Sequence, residues 1–598
     1  MTRKGLRLLF DGRRRHSGDA EAGDASSSTS SSPEVVSRLE AEVASAEAMV
    51  VKWDPNSSAY AKITSLFYED RVEARRFVAQ VSSLQRRMLD VAAAGQPSGL
   101  SHPSLARSQT LMQAAMRRLE KEFYQILAAN RDLLDPESVS VRSARSSVSD
   151  IDPWDDDETA ATAVGDSTTV DDLRAIAGAM IFAGYGKECV RIYRTFRKSI
   201  VDDGLARLGF ELRLQSYKMD WSVLELKIRS WLAAARVAVR TLFHGERVLV
   251  DQVFADSDVV REAVFSTITG DAVQFFAFPE LVARSIKRSH DKLFRMLDMH
   301  DALAELWPEV GLVFSFESTA SVRTQVVASL AKLTEAAREA LADFESAIMK
   351  EPSRSPVPGG RVHPMTRYAM NYLALLADYH PSAEEIFDSW QPPPPPRHSV
   401  SATSPPPVLV ARLIETLLLK LDGKADAYHD AVLSHLFMAN NLQYVVNKVG
   451  SCALRGLLGA DWSARHAAKA RHHLARYERV AWGPLAAMVP ATEVSSAAEA
   501  RERMRGFGAA LEEALAAQAE WAVVDAAMRE ETRERVREMV VPAYRGFHAR
   551  WLSTAAGVAG FPTPDEVWDR LGGLFSQLSG SDGSGSGSNT LNVSNQTV

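Results

Sequence analysis

Cysteine is almost absent from this chain of 598 residues. The two cysteines, Cys189 and Cys452, lie far apart and do not have the spacing of metal ligands. A disulfide framework and a thiolate metal site are therefore excluded, and a reducing cytosol is the expected compartment. We expect neither a metal nor a cofactor.

Long apolar runs are also missing. No stretch approaches the roughly 20 apolar residues that a membrane-spanning helix requires, and the basic start "MTRKGLRLLFDGRRRH" has too short an apolar part for a signal peptide. The net charge of −7 gives no bulk attraction to nucleic acid. The sequence predicts a cytoplasmic protein that does not bind nucleic acid.

Alternating apolar and polar residues, which would indicate strands, are not found with hairpin signals. Helical periodicity is abundant instead, and 46% hydrophobic residues are ample for a large core. The clearest apolar seam follows steps of three and four through Trp221, Leu224, Ile228, Trp231, Ala235, Ala238 and Leu242. The sequence predicts an all-α protein built from consecutive helical bundles.

Shifts in composition divide the chain into seven segments. They are a disordered basic, Ser-rich tail (1–33), N-terminal coiled-coil-like helices for partner binding (34–145), an acidic linker (146–172), helical bundles (173–349), a helix with flexible loops at 350–361 and 391–407 (350–407), C-terminal helical bundles (408–578) and a flexible Gly/Ser tail (579–598).

The stretch Gly184-Tyr185-Gly186-Lys187 resembles a phosphate-binding loop only superficially. Such a loop needs a strand before it and Ser or Thr after the lysine. Here helical spacing precedes it, and Glu188 follows Lys187. The glycines are interpreted as the turn between two helices.

A basic helix is predicted around "RHAAKARHHLARYERVAW". It carries five cations and one acid, Glu478. The cations are Arg465, Lys469, Arg471, Arg476 and Arg479. Two interpretations stay open, namely a solvated face and a docking surface for anionic lipid or an acidic partner. His466 and His473 share a helix face, but the spacing of a zinc protease is absent.

Two further motifs favour structural roles. Pro364, which follows His363 and two glycines, suits the first turn of a helix, so a helix start is favoured over an active site. Asn440 and Asn441 share a helix with a largely apolar side and would be costly if buried without partners. A hydrogen-bond network to a neighbouring loop is the expected solution.

Several long motifs, in order, resemble the seventy-kilodalton subunit of the exocyst. They are "AGYGKECVRIYRTFRKSIVDDGLARLG", "WSVLELKIRSWLAAARVAVRTLFHGERVL", "GGRVHPMTRYAMNYLALLADY", "HLFMANNLQYVVNKV", "LRGLLGADW", "VVPAYRGFHARW" and "FPTPDEVWDRLGGLF". The resemblance covers roughly residues 35–578. Upstream motifs such as "VVKWDP" are similar to the land-plant branch, and the basic, Ser-rich start resembles grass members.

This resemblance implies an elongated rod of stacked helical bundles without catalytic activity. It implies vesicle tethering at the plasma membrane in exocytosis. The implied partners are other exocyst subunits, anionic phosphoinositide membrane and Rho-type small GTPases. It also implies peripheral association with plasma membrane and secretory vesicles. A diverged role in plant immunity, as a pathogen-effector target or a module guarded by immune receptors, is the alternative.

One departure from the family pattern concerns the lysines that precede the final helix in lipid-binding members. From Trp551 to Asp569 this chain has neither lysine nor arginine. Arg545 and Arg550 remain upstream, and the basic helix at 465–479 is the other candidate for membrane contact. The predicted membrane-binding residues are Arg465, Lys469, Arg471, Arg476, Arg479, Arg545 and Arg550.

Overall fold

The computed structural model describes residues 32–93, 103–139 (except 133 and 138), 157–209, 220–285, 289–379 (except 354), 386, 409–489, 496–552 and 560–576. Within these ranges the chain forms helices and no strand, which confirms the all-α prediction. The predicted tail 1–33, except its last two residues, and the tail 579–598 lie outside the described residues, as does the Pro-rich stretch 391–407.

Twenty α-helices are described. They are α1 (Ser32–Trp53), α2 (Ala59–Ile63), α3 (Leu66–Glu69), α4 (Arg71–Ala93), α5 (Pro103–Ala129), α6 (Asp157–Phe182), α7 (Gly186–Arg207), α8 (Trp221–Val237), α9 (His244–Val253), α10 (Asp258–Ile268), α11 (Ala272–Ser285), α12 (Leu293–Val313), α13 (Ala320–Lys350), α14 (Pro364–Asp378), α15 (Leu409–Ala425), α16 (Ala431–Gly450), α17 (Leu454–Ala487), α18 (Ala497–Ala517), α19 (Ala526–Leu552) and α20 (Pro564–Gly572).

Two compact units share the chain. The first contains Met1–Arg207, Val237–Asp271 and Ser315–Thr319. The second contains Leu208–Arg236, Ala272–Phe314 and Ala320–Val598. Helix α6 begins at Asp157, inside the stretch that composition predicts to be an acidic linker. No helix among the described residues is long and apolar enough to cross a membrane.

The first unit packs α1 against α4 and α5, and α7 against α5 and α10. A fully buried ion pair lies inside it. Arg197 donates from Nε and Nη2 to Glu246 Oε2, at 2.9 and 2.6 Å, and Tyr193 donates its hydroxyl to Oε1 at 3.3 Å. Because a buried charge is costly without a partner, this network ties α7 to α9.

The turn between α6 and α7 lies at Gly184, whose φ is +86°. The amides of Gly184 and Tyr185 donate to the carbonyls of Ile181 and Met180, at 3.0 and 2.8 Å, and so close the end of α6. A left-handed residue that ends a helix in this way is commonly glycine. The interpretation as an elbow between two helices is confirmed.

The second unit has its apolar centre among α16 to α20. The aromatic rings of Phe507 and Tyr544 stack there with centroids 4.3 Å apart, beside the buried Trp482. Thr563 and Glu566 form a reciprocal capping box at the start of α20, which defines where this last described helix begins.

Asn440 and Asn441 on α16 are both buried, and their amides bind two other segments of the second unit. Asn440 donates to the carbonyls of Gly360 (2.8 Å) and Ala522 (2.7 Å) and accepts from the amide of Val524 (2.9 Å). Asn441 accepts from the amide of His363 at 2.9 Å. The predicted hydrogen-bond network to a neighbouring loop is confirmed, and we call this pair the asparagine clamp.

The loop held by the asparagine clamp passes too close to its neighbours for side chains at two positions. Gly359 and Gly360 both have φ of +66°. A Cβ on Gly359 would lie 2.4 Å from the carbonyl oxygen of Glu520. Directly after them, His363 caps α14, since its Nδ1 accepts from the amide of Met365 at 3.0 Å. The predicted helix start at Pro364 is confirmed.

We expect Asn440→Ala to lower the free energy of unfolding by roughly 3–5 kcal/mol, because it leaves two carbonyls and one amide without partners. Asn447→Ala is the matched control, since Asn447 lies on the same helix and is exposed. It should cost less than about 1 kcal/mol. Urea unfolding followed by circular dichroism measures both, and equal losses would contradict the structural role of the clamp.

Candidate functional site

The basic residues predicted from sequence lie on α17, which changes direction at Gly459. Gly459 has φ of +79° and ψ of 168°, so the helix is continuous only beyond it. All five cations between Arg465 and Arg479 lie on this continuous part, and all five are exposed. None of them forms an ion pair with another described residue.

Four of these cations share one side of α17. Arg465, Lys469, Arg476 and Arg479 are spaced 4, 7 and 3 residues apart. At about 100° per residue they lie within an arc of about 80° and extend over about 21 Å of helix. The exposed ring of His472 lies in the same arc. We call the four cations the basic stripe.

The opposite side of α17 is fixed by packing. Leu474 and Tyr477 are fully buried there, and the Tyr477 hydroxyl donates to Gln518 Oε1 at 2.5 Å. Trp482 is also fully buried and donates to the same hydroxyl at 3.2 Å. Because these contacts fix the rotation of the helix, the basic stripe must face solvent.

The other predicted membrane residues are placed differently. Arg471 is exposed but lies about 80–160° around the helix from the members of the basic stripe. Arg545 on α19 pairs with Asp565 at 3.3 Å, so part of its charge is neutralised. Arg550 is exposed near the end of α19 and also has a partner. The structure therefore brings together Arg465, Lys469, Arg476 and Arg479 only.

The histidines of α17 serve packing rather than metal binding. His466 stacks on the ring of Trp462, with centroids 3.8 Å apart, and its Nδ1 lies 2.8 Å from the Trp462 carbonyl. Burial, with neighbouring His435, lowers the pKa of His473 to about 4, so this ring is neutral. In the part of the chain that the structure describes, no group of three or more His, Cys, Asp or Glu residues could hold a metal ion.

Glu478 is the one acid in this helix segment, and it is buried on the packed side. One carboxylate oxygen lies 3.7 Å from Arg535 Nη1 on α19, and the other has no hydrogen-bond partner among the described residues. Burial raises the pKa of Glu478 to about 7, although Arg535 opposes the shift. Its charge therefore does not reach the basic stripe, which remains a surface of one sign.

These features define a class of protein. The described residues form helical bundles with one exposed cationic face, and the candidate catalytic motifs take part in a helix elbow, a helix cap and ring stacking. Such an arrangement binds partners through its surface.

Comparison with known proteins gives the family. The C-terminal family of the Exo70 exocyst complex matches residues 229–561, and the family described as "Exocyst complex component Exo70 N-terminal" matches residues 42–129. The chain belongs to the Exo70 family of exocyst subunits, in its plant branch. The expected family is confirmed, whereas the closer likeness to grass members stays a prediction.

Relatives and solved structures agree with this assignment. Exocyst complex component EXO70B2 of Arabidopsis thaliana is 30% identical over 82% of this chain and 82% of its own length. EXO70A1 of the same plant is 29% identical over 85% and 83%. A crystal structure of S. cerevisiae Exo70 has a TM-score of 0.55 at 14% identity, covering 90% of this chain and 98% of its own, and supports the fold.

The raised pKa of Glu478 leads to a pH-dependent prediction. In the unfolded chain this carboxyl ionises near pH 4.5, whereas in the folded chain it stays protonated to about pH 7. Its contribution to stability is therefore complete at low pH and is lost as pH rises between these values. We expect Glu478→Gln to stabilise the protein by up to about 3 kcal/mol at pH 8 and by less at pH 5.

Thermal unfolding at the two pH values measures this difference. Glu502→Gln, an exposed position on α18, is the control and should leave the melting temperature nearly unchanged at both. A destabilising effect of Glu478→Gln at pH 8 would show that the ionised carboxylate is needed by the fold.

Proposed function

We propose that this Exo70 family member tethers secretory vesicles to the plasma membrane, with the basic stripe on α17 contacting anionic phosphoinositide. The observation that carries the proposal is the alignment of four exposed cations, without described acidic partners, along about 21 Å of one helix face. A flat anionic surface can meet all four at once. The contact involves no catalysis and works together with binding to sibling exocyst subunits through multivalency.

Charge arithmetic makes the basic stripe sufficient in size. A basic residue near an anionic membrane surface contributes about 1 kcal/mol, so four contribute about 4 kcal/mol together. This would compensate for the missing lysines between Trp551 and Asp569. Farther along the second unit, Arg533, Arg535 and Arg537 on α19 pair with Glu530, Glu531 and Glu534 and add little net charge.

Binding of sibling exocyst subunits is assigned to the first unit, where exposed apolar residues cluster along the chain. Between Val51 and Val72 five large apolar side chains are about half exposed or more. They are Val51, Tyr60, Ile63, Tyr68 and Val72. Apolar side chains exposed at this density favour a protein partner. Rho-type GTPases, pathogen effectors and immune receptors stay predictions.

Vesicle binding tests the membrane part of this function. We expect the full-length chain to float with vesicles that contain phosphoinositide and to remain behind with neutral phosphatidylcholine vesicles. Changing Arg465, Lys469, Arg476 and Arg479 together to Gln should weaken binding by about 100-fold or more, since about 4 kcal/mol is removed. Flotation at graded lipid concentration gives the affinity.

The matched control for this experiment changes Arg471, Arg501, Arg503 and Arg505 to Gln. It removes the same total charge, but Arg503 and Arg505 are already paired with acids and Arg471 lies off the basic stripe. Equal binding of the wild type to both kinds of vesicle, or equal loss in the two variants, would refute the membrane contact. Phosphatidylserine vesicles of matched charge show whether the headgroup or charge alone is recognised.

Recovery of sibling exocyst subunits tests the assembly part. The double variant Ile63→Glu, Val72→Glu should reduce co-purification at least tenfold, because it places charge in the apolar cluster. Leu226→Glu, Leu312→Glu in the second unit is the control, with side chains 65% and 76% exposed. If the wild type recovers no sibling subunits while remaining folded, the tethering proposal fails and the immune alternative gains support.

A further inference from the structure

A cavity of about 760 Å³ lies within the second unit, between α15 and the segment that follows α13. This volume is in the range of sites for small molecules. Its lining is mainly apolar and includes Leu419, Val357, Tyr428 and Phe437. Phe437 is fully buried, whereas Leu419 is 69% exposed, so the cavity has a closed floor and an open rim.

One polar side chain in the lining has an uncommitted donor. His363 is 96% buried, and its Nδ1 is occupied by the amide of Met365. Burial, with the neighbouring Lys424 ammonium, lowers the pKa of His363, so the ring is neutral near pH 7. Its single ring proton must therefore be on Nε2, which has no hydrogen-bond partner among the described residues.

The charges of the lining do not balance. Lys424 pairs with Glu351, so these two charges offset each other. Lys420, one turn earlier on α15, donates to the carbonyl of Met349 at 2.8 Å and has no described carboxylate partner. With His363 neutral, the lining carries one net positive charge and two groups with N–H donors to spare.

From this geometry we propose that the cavity binds a small apolar monocarboxylate, whose carboxylate accepts hydrogen bonds from Lys420 and His363. One anionic group matches the single uncompensated charge, and an apolar body matches the floor. A ligand with two anionic groups would leave the second without a cation in the lining. This site is independent of the basic stripe and of the proposed tethering.

Gly423 offers a way to close the cavity without damaging the fold. It lies in α15 and lines the cavity, and a Cβ built on it would meet no atom within 4 Å. A side chain larger than glycine there also favours the helix. Gly423→Phe should therefore fill the cavity while the protein remains folded. Gly456→Phe is the matched control, since Gly456 is equally open and lies outside the cavity lining.

The test is titration of the full-length chain with dansylated undecanoate, followed by the fluorescence of the dansyl group. We expect saturable binding of one molecule per chain, loss of binding in Gly423→Phe, and unchanged binding in Gly456→Phe. The corresponding primary amide, which has the same shape without the charge, should bind at least fivefold more weakly, as expected for a charge-assisted contact.

Two variants examine the donors. Lys420→Gln removes the charge, and His363→Asn removes the ring donor but retains a good helix cap. Each should weaken undecanoate binding at least about fivefold, while amide binding changes little in Lys420→Gln. Absence of saturable binding, equal affinity for acid and amide, or unchanged affinity in either donor variant would overturn the proposal. Melting temperatures confirm that each variant is folded.

Discussion

A buried amide must find partners, and this requirement organises the second unit. Asn440 and Asn441 lie on a helix whose other buried residues are apolar, so their four polar groups can be satisfied only by backbone from elsewhere. The loop at 359–363 and the segment at 522–524 supply that backbone. An apolar pair at these positions would hold neither segment. The asparagine clamp therefore specifies which loops meet α16, in addition to stabilising them.

The functional surfaces follow from this frame. Helix α16 packs against α17, whose buried side fixes the direction of the basic stripe. The clamped loop also presents His363, which caps α14 with one ring nitrogen and faces the cavity with the other. The membrane contact and the proposed ligand site thus lie on elements that the same buried polar network positions.

The sequence revealed those features that depend on local chemistry. The elbow at Gly184, the helix start at Pro364 and the need for partners at Asn440 each follow from the conformational or hydrogen-bonding preferences of one residue type. The spacing of the cations on α17 was also readable and would have separated Arg471 from the basic stripe. The pairing of Arg545 with Asp565 was not readable, because it depends on how α19 meets the start of α20. The cavity joins α15 to a distant loop and leaves no periodic signal.

Hydrogen exchange of backbone amides tests the central role of the asparagine clamp most directly. The amides of His363 and Val524 donate to the two asparagine side chains although neither lies inside a helix. In the native full-length chain, mass spectrometry should find peptides that contain these amides as slow to exchange as the core of α16. Rapid exchange of both amides while α16 stays protected would show that the two segments are not held by the clamp.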